Sequence, residues 1–218
     1  MLPELIDSLR CVGDHGFTWL VARADHVSGR HLIRGTLGCP ACGAEYPVHD
    51  GILDFTRGVE GRGEAPLARP TAGTMEADEL ALRAAALLGL TSPGGLAVLV
   101  GEWGGAAPTL VPMVDGVQIL AVNPPAGVES GGGLSLVRAF EDVPVRAGAA
   151  RGVALDEEHA TPRVLAAAAA ALRPGGRLVA PADAPVPARI TVLARDALYW
   201  VAERAPDEEH VPLSRRRR

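Results

Sequence analysis

The 218-residue sequence contains no lysine, so all 21 of its strongly basic side chains are arginine. That absence excludes chemistry needing an ammonium side chain: a lysine-closed phosphate loop, Schiff-base catalysis and a lysine general base. Aromatic residues make up only 4% of the chain. The apolar mass is mostly Ala, Val and Leu, which suits helices packed on a buried sheet. Cysteine occurs only three times, too few for a disulfide framework and spaced as metal ligands are. No uninterrupted apolar run approaches the ~18 residues of a membrane span. The opening Met1 to Asp7 carries acids where a secretory leader carries cations. A reducing cytoplasm is the expected location, with no membrane association.

The net charge of −5 argues against nucleic-acid binding over the whole surface. The one basic cluster, Arg215 to Arg218, is expected to be a solvated tail. Contact with RNA or an acidic partner is its alternative role.

What the sequence does contain is a knuckle, Gly38-Cys39-Pro40-Ala41-Cys42-Gly43. Two cysteines separated by two residues point both sulfurs at one ion, and the following glycine lets the backbone turn so that amides face the thiolates. Zinc takes a tetrahedral set of such ligands. The only other cysteine is Cys11, with His15 four residues beyond it. The expected site is therefore Cys11, His15, Cys39 and Cys42, with Asp14, His31 and His49 as alternatives for the fourth position. A full set of protein ligands leaves no open position for water, so the zinc is expected to be structural rather than catalytic.

Around this knuckle the pattern is one of short strands. Leu2, Leu5, Ile6 and Leu9 predict an amphipathic helix that delivers Cys11. Phe17, Trp19 and Val21 alternate as in a strand, and residues 25–30 carry turn chemistry. A returning strand runs over 31–37, and Asp50-Gly51 joins strands at 45–48 and 52–55. A unit this small, built of hairpins, has too little core to be secure without a staple such as a metal.

Cys11, the Cys39-Pro40-Ala41-Cys42-Gly43 knuckle and the Tyr46-Pro47-Val48-His49-Asp50-Gly51-Ile52 tail resemble the zinc-ribbon activators of methyltransferases. These are the Trm-one-twelve-like proteins and their short bacterial relatives. The resemblance covers residues 1–57. It implies a ribbon that binds and stabilises a catalytic methyltransferase subunit acting on tRNA, rRNA or protein. The family usually supplies a second cysteine where this chain has His15.

Residues 58–74, rich in Gly, Arg, Pro and Ala, read as a linker. From 75 to 205 apolar strands alternate with helices. A helix from Thr74 to Leu88 ends at Gly89, and strands follow at 96–100, 117–122, 134–139, 152–155 and 177–180. A second helix spans 106–114, and a third spans 161–172, capped by Thr161-Pro162. Strands at 190–194 and 198–202 form a closing antiparallel pair. Strand–helix–strand repetition predicts a mostly parallel sheet with helices on both faces. The expected organisation is thus α/β: a zinc-ribbon domain at 1–57, a linker, a Rossmann-like domain at 75–205 and an Arg-rich tail at 206–218.

The segment Leu172-Arg173-Pro174-Gly175-Gly176-Arg177 and this strand order resemble class I S-adenosylmethionine-dependent methyltransferases. The resemblance implies that the loop after the strand at 96–100 receives the cofactor's methionine part. It also implies that an acid ending the next strand receives the ribose. Here Gly101, Trp103 and Gly105 stand at the glycine positions, Leu99 or Val100 replaces the acid before them, and Asn123 stands at the ribose position. Glu141, Asp142 and Asp156 could lie near the adenine or the reacting centre, but are expected as solvated loop acids. No catalytic constellation is legible: there is no Gly-x-Ser-x-Gly elbow, and no histidine is paired by pattern with a nucleophile.

These departures favour a zinc-binding protein whose methyltransferase-like domain has lost normal S-adenosylmethionine binding. It would act as a regulatory or scaffold subunit toward a protein partner or a second copy. The alternative is an active methyltransferase carrying its activator ribbon in cis. A further possibility is a different small molecule at the ends of the strands.

Overall fold

The computed structural model describes residues 1–56 and 76–206. The expected linker, the first residues of the expected helix at Thr74 and nearly all of the Arg-rich tail lie outside the described residues.

The opening segment forms a 3-10 turn, Pro3–Ser8, rather than an α-helix. Pro3 fixes the first turn, and the segment ends by pairing with the chain near Val145: Arg10 N–H donates to the Pro144 carbonyl at 3.1 Å, and Arg146 N–H to that of Ser8 at 2.9 Å. Strands β1 (Val21–Ser28) and β2 (His31–Gly38) form the first hairpin. β1 starts later than the Phe17–Val21 alternation suggests, and it continues through residues expected as a turn. All eight of its residues are exposed, so it carries no buried face of the kind that alternation normally signals. Strands β3 (Glu45–His49) and β4 (Ile52–Asp54) flank the expected Asp-Gly turn. Asp50 and Gly51 both take positive φ, 50° and 76°, as the two-residue hairpin loop requires.

Helix α1 (Ala77–Leu87) ends where Gly89 predicts. Gly89 has φ 62°, its N–H donates to the Ala86 carbonyl, and Leu90 N–H reaches Ala85 at 2.9 Å, the pairing of a Schellman cap. There follow β5 (Leu96–Val100), a 3-10 turn at Gly101–Ala106, α2 (Ala107–Met113) and β6 (Gln118–Val122). Then come β7 (Leu134–Arg138), β8 (Ala150–Ala154), α3 (Pro162–Ala171) and β9 (Leu172–Pro181), and finally β10 (Ile190–Arg195) and β11 (Tyr199–Arg204). Thr161 caps α3 as expected, its hydroxyl accepting Val164 N–H at 3.3 Å.

All strands join one eleven-stranded sheet in the order β1-β2-β3-β4-β7-β6-β5-β8-β9-β11-β10. The run from β4 to β9 is parallel, and antiparallel strands extend it at both ends. β5 at the centre is buried throughout and shows the layering. Leu96, Val98 and Val100 face a core containing α3, Leu5 and Leu9, whereas Ala97 and Leu99 face α1 and α2. The architecture is α/β, with helices on both faces as expected.

The sheet runs without a break from the N-terminal strands into the strands after α1. β4 lies parallel to β7, with Ile52, Leu53 and Asp54 opposite Leu136, Val137 and Arg138. Leu37, Tyr46, Val48, Leu53 and Phe55 share one core with Val98, Val122 and Val137.

Candidate functional site

The structure brings Cys11, His15, Cys39 and Cys42 together, with one ligand atom of each lying within 4.8 Å of the others. The 3-10 turn and its pairing near Val145 hold Cys11 in place. The β2–β3 connection holds the knuckle: Cys39 N–H donates to the Ala44 carbonyl and Gly43 N–H to that of Cys39, both at 2.8 Å, with Gly43 at φ 73°. Cys11 Sγ is 3.6 Å from Cys42 Sγ, and Cys39 Sγ is 3.3 Å from His15 Nε2. A tetrahedral zinc with metal–sulfur bonds of about 2.3 Å sets neighbouring ligand atoms roughly 3.5–3.8 Å apart, so the donor set fits the ion.

The surroundings suit thiolate ligands. Burial alone would raise the Cys39 thiol, but hydrogen bonds from the Cys42 and Ala41 backbone and the nearby Cys42 and Cys11 thiols bring it down to about 7. Burial raises the Cys11 thiol, while the Tyr46 hydroxyl, 2.9 Å away, and Gly13 N–H, 3.3 Å away, work against that rise. His15 Nδ1 donates to the Gly16 carbonyl at 2.6 Å, which fixes the tautomer that leaves Nε2 free to coordinate. Of the alternatives, Asp14 is exposed and outside the cluster, and His31 Nε2 lies 3.2 Å from the Gly132 carbonyl. His49 sits exposed at the end of β3 opposite Ile52. Sequence reading missed Tyr46 as a partner of Cys11. Its place in the Tyr-Pro tail was the available signal.

A second constellation occupies the carboxyl ends of β5, β6 and β8, where an open parallel sheet places its ligands. Asp156, expected as a solvated acid, is instead buried at 6% exposure. The reason is its hydrogen bonding: one oxygen accepts Glu102 N–H at 2.7 Å, and the other accepts His159 N–H at 3.0 Å and the His159 ring at 2.7 Å. Gly101 has φ 63°, and any side chain there would collide with the Asp156 carboxylate. Asp142 is likewise buried rather than solvated, because it pairs with Arg10. Glu141 is exposed, as expected.

Trp103 is 2% exposed and lies in the core with Leu99, Ala121 and Val179. Its indole N–H donates to the Leu155 carbonyl at 3.2 Å, and its ring packs on Tyr199 at 5.3 Å. Asn123, also buried and at φ 50°, is held by both backbone groups of Ala139: its amide donates at 2.8 Å and its oxygen accepts at 2.9 Å. The same amide lies 3.4 Å from His159 Nε2. Pro124 closes on the glycine turn so tightly that a Cβ on Gly104 would lie 2.8 Å from the Pro124 side chain. At the strand ends Trp103 is thus tied to the Leu155 backbone, Asn123 to the Ala139 backbone, and Asp156 to Glu102 and His159. His159 was missed in the sequence, where only its place three residues after Asp156 hinted at the pair.

Burial disfavours the charged form of His159, but the hydrogen bond and charge of Asp156 outweigh it and raise its pKa above the ordinary 6.5. Its charged form therefore stabilises the fold most fully below the unfolded pKa, and that contribution is lost as pH rises through the raised value. The difference in urea midpoint between the native protein and His159→Gln is expected to be larger at about pH 6 than at about pH 8. A flat difference over that interval would contradict the pairing.

No family model matches the sequence, and no curated protein matches it. Solved structures with similar architecture include several methyltransferases and a [4+2]-cyclase. One is an S-adenosyl-L-methionine methyl transferase from Silicibacter pomeroyi, 14% identical, covering 59% of this chain and 94% of its own, with a TM-score of 0.44. A proposed sarcosine dimethylglycine methyltransferase from Galdieria sulphuraria is 20% identical, covering 47% of this chain and 45% of its own, with a TM-score of 0.38. A geranyl diphosphate C-methyltransferase from Streptomyces coelicolor is 17% identical, covering 54% and 53%, with a TM-score of 0.39. The chain thus spans about half the length of the latter two. The likeness concerns the fold alone. Among the described residues, no helix is long and apolar enough to cross a membrane.

Proposed function

We propose that this is a zinc-stapled protein with a methyltransferase-like fold that does not bind S-adenosylmethionine and serves as a binding or regulatory subunit. The observation that carries this reading is the internal hydrogen bonding of the strand-end side chains. Trp103, Asn123 and Asp156, which the family resemblance places around the cofactor, are committed to internal hydrogen bonds, and His159 joins that network through Asp156. A cofactor entering there would have to break several buried bonds at once, each costing roughly 1–3 kcal/mol when a partner is left unpaired.

Cys11, His15, Cys39 and Cys42 would hold the zinc, which supplies a structural cross-link between the chain before β1 and the β2–β3 connection. The ribbon's β4 is already hydrogen-bonded to β7 of the same chain. That strand edge is therefore used in cis and is not open to another methyltransferase.

Ligand-induced stabilisation tests the reading. At ~1 mM S-adenosylmethionine, a site with a Kd of ~10 µM adds about 2.7 kcal/mol, which for a chain of this size raises Tm by roughly 5–10 °C. The expected result is no rise with S-adenosylmethionine or S-adenosylhomocysteine. A rise of that size would restore the reading as an active methyltransferase with its ribbon in cis.

A further inference from the structure

A cavity of about 410 Å³ opens beside the zinc ligands, between the chain leading into β1 and the region joining β7 to β8. That volume lies within the range of small-molecule sites, which favour such junctions. Its walls come from both halves of the chain. Arg10, Cys11, His15 and Phe17 form one side, and Val145, Arg146, Ala147 and the Ala170 end of α3 form the other.

Its chemistry is asymmetric. The lining holds two guanidinium groups and no carboxylate. Arg10 is neutralised by Asp142. Arg146 donates its Nε to the Asp7 carbonyl at 2.9 Å and forms no ion pair among the described residues. Phe17 is 55% exposed and stacks edge-on against Trp19, 57% exposed, at 5.2 Å. Large rings exposed in this way are conspicuous in a chain so poor in aromatics, whose Trp103, Trp200, Tyr46 and Phe55 are all buried. An apolar wall with an aromatic ring at its side and an uncompensated guanidinium matches a flat organic anion, with its head on arginine and its body on the ring.

We propose that this cavity is a binding site for a small aromatic or apolar acid, with its anionic group on Arg146 and its body against Phe17. The site is independent of the strand-end crevice and of whether that crevice binds a cofactor. Because Cys11 and His15 border it, an occupant would brace the zinc-bearing segment against α3.

The test uses full-length, zinc-loaded protein titrated with 1-anilinonaphthalene-8-sulfonate, followed by probe emission. Saturable one-to-one binding is expected, weakened roughly tenfold or more by Arg146→Gln through loss of a charge-assisted bond. Phe17→Ala should weaken it severalfold, and since this ring is exposed the variant should keep the native Tm and zinc content. Benzoate should displace the probe at concentrations where benzyl alcohol does not. Unchanged affinity in both variants, absence of saturable binding, or equal displacement by the alcohol would overturn the assignment.

Discussion

Cys39→Ser is expected to abolish stoichiometric zinc binding and lower Tm by on the order of 10 °C. Cys39 is buried at 2% exposure and contributes the sulfur nearest His15 Nε2. Serine offers a poor zinc ligand and leaves the knuckle amides facing a neutral hydroxyl. Structural zinc sites contribute directly to folding free energy. A loss of even ~3–4 kcal/mol corresponds to a shift of about 10 °C in a chain of this length. The damage should be graded along the chain. On the proposed reading, residues 11–15 and 39–42 are fastened through the metal, whereas β4 is hydrogen-bonded to β7, and Leu53 and Phe55 lie in the shared core. Amide exchange should therefore accelerate first around the knuckle and last in β4. His15→Ala should weaken zinc binding more than His49→Ala, and the reverse order would reassign the fourth ligand. A Cys39→Ser protein that kept one zinc per chain would sink the site altogether.

Asp156→Ala is expected to destabilise the protein by about 3–5 kcal/mol, the range for removing one member of a buried charged network. The substitution strands Glu102 N–H, His159 N–H and the His159 ring, all of which use this carboxylate. It also removes the charge that favours protonated His159. Asp156→Asn keeps the volume and one acceptor oxygen, so it should cost less but still flatten the pH dependence attributed to His159. Chemical denaturation of both variants at about pH 6 and about pH 8 separates the two effects. A loss below ~1 kcal/mol in Asp156→Ala would mean that the strand-end network is not held together by this carboxylate.

Much of the fold was legible because it rests on local signals. The apolar run at 96–100, the Gly89 stop, the Thr161-Pro162 start and the Asp50-Gly51 turn each specify backbone geometry within a few residues. The Cys39–Cys42 knuckle was legible for the same reason. The alternation of Phe17, Trp19 and Val21 predicts a half-buried strand, yet all three are exposed and β1 starts only at Val21. The leucine spacing of the opening segment predicts an amphipathic helix, whereas its end is fixed by pairing with residues 144–146, contacts that no local pattern shows. Continuity of the sheet through β4 and β7 is likewise a long-range pairing. Asp156 and Asp142 were expected in solvent because most acids are there. Their burial depends on His159, Glu102 and Arg10, and the last of these partners is distant in sequence from Asp142.

The proposed loss of cofactor binding is tested most directly by isothermal calorimetry of S-adenosylmethionine against the native, zinc-loaded protein, at protein concentrations that would reveal a Kd of up to about 100 µM. The predicted result is no saturable heat. One-to-one binding in the micromolar range would contradict it, showing that Trp103, Asn123, Asp156 and His159 yield to the cofactor.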